Sequence, residues 1–86
     1  MAVRNVDQYL TAVVGDYRET CALGFPDEWA AKQALWKAAV VVCEVADDPE
    51  PWLDELRGIA LLDVLKASRI ETTIQSARRR AGGNVR

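Results

Sequence analysis

The sequence predicts an all-α protein: three antiparallel helices in a bundle, or four if the last one breaks near Ser68. Three observations lead there. Apolar residues make up half of the 86 positions, too many for a disordered chain and enough for one small domain. They recur at helical spacing along most of the chain. The interruptions, Gly24-Phe25-Pro26 and Asp47-Asp48-Pro49-Glu50-Pro51, are short and of types that stop helices. The domain is expected over residues 1–81, with 82–86 as a tail.

The first helix is expected from Val6 to Leu23. Asn5 suits its N-cap, and Gln8 completes a capping-box pattern. Val6, Tyr9, Leu10, Val13, Val14, Tyr17 and Cys21 form its apolar stripe, and Gly15 lies on the opposite side. Gly24 supplies a left-handed residue after the last turn, and Pro26 blocks continuation.

The second helix is expected from Pro26 to Ala46. Asp27 and Glu28 suit the positive end of its dipole. One stripe comprises Leu35, Ala38, Ala39, Val42, Val45 and Ala46, and an adjacent one Trp29, Trp36, Val40 and Cys43. Apolar breadth of that kind places this helix in the middle, touching more than one neighbour. The β-branched run Val40-Val41-Val42 also suits a strand, but flanking alanines and the absence of turn residues favour a helix.

The third helix is expected to open at Pro51. Leu53, Leu56, Ala60, Val64, Ala67, Ile70 and Ile74 share one face. One continuous helix is favoured, because neither Gly nor Pro interrupts it. Ser68 and Glu71 match a capping box, so a break near Ala67 is the alternative. Gly82 and Gly83 are expected to end the helix.

Composition removes several chemistries. The chain has no histidine and two isolated cysteines, Cys21 and Cys43. A zinc site needs four closely paired ligands, so the cysteines read as buried free thiols acting as small apolar side chains. The hairpin puts them roughly 20 Å apart along the helix axis, so no disulfide is expected between them. Nothing activates a nucleophile, and no glycine-rich phosphate loop is present. The carboxylates lack the apolar pocket that acid–base work needs, except Asp63 in its apolar run. No catalytic residue, cofactor or metal is therefore expected. The longest apolar run, Ala38 to Cys43, has six residues, against about 20 for a membrane span. With no targeting segment visible, a cytoplasmic protein is expected.

Charge is unevenly spread. Residues 1–65 hold five basic and twelve acidic residues, whereas residues 66–86 hold six basic and one acidic. The acidic cluster Glu44, Asp47, Asp48, Glu50, Asp54 and Glu55 reads either as helix-terminus chemistry around a solvated turn or as a docking patch for a basic partner. The basic residues Arg69, Arg78, Arg79 and Arg80 read either as compensation for the helix dipole or as phosphate contacts.

Apolar candidates for an interface are Gly58, Leu61, Leu62 and Leu65, which lie off the main stripe of the third helix. Trp29 and Trp36 join them as binding anchors, although Trp at this spacing is more often core. The expected function is a non-enzymatic protein-binding regulator, an inhibitor or adaptor and a homodimer, acting through apolar and acidic surfaces. Small acidic helical chains of this kind are common among phage and mobile-element proteins that block a host machine. The alternative is a nucleic-acid-binding regulator using the arginine-rich last helix.

Overall fold

A computed structural model describes residues 6–61 and 65–85, with the side chains of 82–85 left aside. The described residues form four α-helices: α1 (Val6–Leu23), α2 (Glu28–Val45), α3 (Glu50–Leu61) and α4 (Ala67–Val85). Val40–Val42, where a strand was the alternative, is helical as expected, inside α2. The expected cap at Asn5 and the residues Leu62, Asp63 and Val64 lie outside the described residues.

The turn after α1 follows the sequence signals. Gly24 has φ +86°, and its N–H donates to the Cys21 carbonyl at 3.0 Å. Phe25 packs against the core. The start of α2 falls slightly later than expected. Asp27 is its N-cap, with extended backbone and a carboxylate that accepts from the Ala30 N–H at 2.9 Å. Pro26 therefore precedes the cap, and Asp27 satisfies one of the orphan amides. Before α3, the Pro49 carbonyl accepts the Leu53 N–H at 2.8 Å, so the helix opens one residue ahead of Pro51.

The preference for one long third helix is corrected. α3 ends at Leu61, Leu65 and Lys66 are non-helical, and α4 starts at Ala67. An unbroken helix from Glu50 to Val85 would be about 54 Å long, whereas the longest dimension of the molecule is 37 Å. Much of its apolar stripe would have no neighbour. The break returns Ile70, Ile74, Ala77 and Ala81 to the core, and burial of such side chains is worth about 1.5–3 kcal/mol for each isoleucine. The proposed capping box does not form as read. Ser68 sits inside α4, where its carbonyl accepts the Thr72 hydroxyl, and Glu71 turns instead to Arg57. Nor do Gly82 and Gly83 stop the helix, which continues through them to Val85. Gly costs about 1 kcal/mol relative to Ala in a helix but does not forbid it.

The position of α2 is as its sequence demands. It touches α1, α3 and α4, and its seam with α4 is the most extensive in the molecule. Among the described residues α1 and α4 do not meet, while α3 touches both. Polar pairs give the directions. Arg57 of α3 reaches Glu71 of α4, and Glu50 of α3 reaches Arg78 of α4, so these two helices are antiparallel. Arg69 and Glu28, near the starts of α4 and α2, pair at 3.3 Å, so those two run the same way. The core comprises Leu10, Val14 and Tyr17 of α1, Leu35, Ala39 and Val42 of α2, Leu53, Leu56 and Ala60 of α3, and Ile70, Ile74 and Ala77 of α4.

Candidate functional site

The candidate side chains separate onto two faces, because α2 and α3 each turn a different side to solvent. The first face lies along α1 and α3. Arg18 of α1 and Pro51, Asp54, Glu55, Gly58 and Ile59 of α3 line an open cleft. Residues 51, 54, 55 and 58 share one side of α3, since helical neighbours recur every three or four positions. A Cβ built at Gly58 would meet nothing within 4 Å. Leu61 projects nearby at 56% exposure.

The leucine set divides. Leu61 is exposed, Leu62 is outside the described residues, and Leu65 is buried at 4% exposure. Leu65 thus corrects the expectation of an interface: the break that ends α3 folds it into the monomer's own core.

The acidic set divides as well. All six members are exposed, but three are engaged with arginines. Arg57 donates from Nε to Glu71 at 2.7 Å and from a terminal nitrogen to Asp54 at 2.5 Å, with Glu50 at 3.9 Å. Glu50 also accepts from Arg78. Glu55 lies 3.8 Å from Arg18. The hydrogen bond to Glu71, more than any other interaction, pushes the Arg57 guanidinium above its ordinary value. This group ties α3 to α4 rather than offering bare carboxylates. Asp47 and Asp48, at the corner between α2 and α3, make no ion pair with a described residue. Asp48 instead accepts weakly from the Glu50 N–H at 3.4 Å.

The second face is the groove between α2 and α4. Its α2 wall presents Trp29, Lys32, Gln33 and Trp36, and its α4 wall Thr72, Thr73 and Ser76. Trp29 is 66% exposed, which removes the core reading for it and leaves the ring available as a binding anchor. Trp36 is half-buried against the core. Trp29 stands in the first turn of α2 and faces the groove, whose α4 wall is Thr72, Thr73 and Ser76. Of the arginines, Arg69 pairs with Glu28 and Arg78 with Glu50. Arg79 and Arg80 are exposed and pair with no carboxylate among the described residues.

Neither cysteine is in a disulfide, and both are half-buried rather than buried as expected. Burial pushes the Cys43 thiol above its ordinary value; Arg78 opposes the rise, and Glu50 and Glu44 add to it. Among the described residues no three His, Cys, Asp or Glu side chains converge as metal ligands, and no helix is long and apolar enough to cross a membrane. Sequence reasoning did not single out Arg18, Arg57, Lys32, Thr72 or Ser76. Lys32 carried a usable signal, standing three residues after Trp29 and four before Trp36.

No protein-family model, no curated protein and no solved structure matches this chain.

Proposed function

We propose that this chain is a non-enzymatic protein-binding regulator, an inhibitor or adaptor, whose partner docks on the α1–α3 face. One observation carries the reading. The cleft at Gly58 brings an unobstructed backbone position together with Asp54 and Glu55, joining the apolar and acidic candidates in one place. An apolar side chain of the partner would enter at Gly58 beside Leu61. A basic one would meet Asp47 and Asp48 at the adjoining corner, where opposite charge steers association. The exposed Leu61 is also where a second copy would meet the first.

The experiment is capture from native lysate by the wild type, Gly58→Trp and Asp47→Lys, with Trp29→Ala as a control on the other face. Gly58→Trp fills the cleft in a helix that has space for it. A specific protein retained by the wild type and by Trp29→Ala, but lost from Gly58→Trp with the helical signal intact, supports the reading. Capture that ignores the filled cleft, or no capture at all, overturns it. Sedimentation equilibrium over a concentration series reads self-association through Leu61 directly.

A further inference from the structure

We propose that the α2–α4 groove binds a short stretch of single-stranded nucleic acid, with Trp29 as its stacking platform. The inference is independent of the protein partner assigned to the opposite face. Four observations carry it.

The first is the exposed indole. An aromatic ring left mostly in water at a groove mouth forgoes burial, and base stacking is one interaction that uses its open face. Trp36 follows two turns later, about 10 Å along the same side of α2. The second is the rest of the lining. Gln33 and Ser76 present amide and hydroxyl groups that suit bases, sugars and phosphates, and Thr72, whose hydroxyl hydrogen goes to the Ser68 carbonyl, offers an acceptor. A groove that received an apolar helix would be lined by aliphatic side chains instead.

The third observation is charge. Lys32 lines the groove. Arg80 stands four residues after Ser76, on the same side of α4, and Arg79 is beside it. Both arginines are exposed with no carboxylate partner among the described residues. Glu28, at the start of α2, is already matched by Arg69. The ligand is therefore anionic. The fourth is shape. An exposed indole can stack only on a base whose face is open, and duplex bases are stacked on one another. That selects single strands over duplex.

The test uses the full chain and a fluorescein-labelled oligothymidylate of about 15 nucleotides, long enough for a site of this kind. At low salt, anisotropy should rise and tryptophan emission should be quenched. Trp29→Ala should weaken binding about 5- to 160-fold, and Trp29→Phe should restore much of it. The logarithmic salt slope should be near −2 for about three phosphate contacts, and Arg79→Gln with Arg80→Gln should flatten it by about 1.4. Lys32→Gln gives a second reading on a side chain that no core contact requires. No binding at about 100 µM protein in low salt overturns the proposal. So does binding that ignores Trp29→Ala, or a duplex of equal length that binds as tightly. Retention of an acidic protein through Trp29 without oligonucleotide binding also overturns it, and gives the groove to a peptide ligand.

Discussion

The α2–α4 seam and the α1–α3 seam are both helix pairs, but they are built from different side chains. Ala31, Ala38, Ala39, Ala77 and Ala81 are buried along α2 and α4, interleaved with Leu35, Val42, Ile70 and Ile74. The α1 and α3 contributions are Leu10, Val14, Tyr17, Leu53, Leu56 and Ile59, with Ala60 alone among them small. Helix axes approach as closely as the side chains between them allow. The alanine-rich pair therefore forms the broadest contact in the molecule. The α1–α3 pair makes a smaller contact and carries the open cleft at Gly58. Polarity differs too. The cleft is edged by arginine–carboxylate pairs, and the α2–α4 groove by indoles, hydroxyls and Lys32.

The comparison makes its largest prediction in the core. Ile74→Ala and Leu56→Ala each remove a fully buried side chain, at a cost of about 2–5 kcal/mol. Ile74 should fall near the upper end, because helices already in contact cannot close further over a cavity. Leu56 should fall near the lower end, because the shorter α3 can settle. A domain of this length has only about 4–13 kcal/mol in total. Urea melts give both values, and equal costs would break the comparison.

The next effect belongs to the turn that sets α1 against α2. Gly24→Ala places a Cβ at φ +86°, a region that costs an L-residue about 1–2 kcal/mol. Open space around the position does not relieve that strain. Thermal denaturation should show the loss.

Removing the link between the two seams should matter less. Arg57 joins α3 to α4 and keeps 24% of its side chain in solvent, while Glu71, Glu50 and Asp54 are at least half exposed. Arg57→Ala should therefore cost only about 1 kcal/mol. Most of that difference should vanish at about 1 M salt, where screening acts within roughly 3 Å. A loss that persists in salt would mean the arginine stem, not its charge, holds the helices.

The smallest effects are gains. Gly15→Ala and Gly58→Ala both add a methyl group that meets nothing within 4 Å. Each should stabilise by about 0.5–1 kcal/mol, and the two should add. Only Gly58→Ala should disturb partner capture, since only Gly58 lines the cleft. Melts of the two single variants and the double variant test additivity.

The outer frame was legible in the sequence. The end of α1, the glycine turn, the central place of α2 and the helical state of Val40–Val42 follow from periodicity and local backbone chemistry. These act over a few residues, so they can be read a few residues at a time. The N-cap at Asp27 lay within that reach, but the preceding proline drew the boundary two residues early. The candidate surfaces were less legible. Leu61 and Leu65 share a composition and a neighbourhood, yet one is exposed and the other buried. Trp29 and Trp36 share a stripe, yet only one reaches the core.

What the sequence by itself determined is where the helices form and which face of each is apolar. The tertiary structure alone decided that the chain breaks between Leu61 and Ala67. The one local hint of that break, the Ser68–Glu71 capping-box pattern, does not form as read. The break follows from the size of the core: a small bundle has neighbours for about 37 Å of helix, and α4 gains burial only by folding back beside α2. That fold-back turned Leu65 inward, gave Arg57 its partner on α4 and set Thr72 and Ser76 opposite the tryptophans. Each depends on residues far apart in sequence, and helical periodicity carries no information about which distant faces meet.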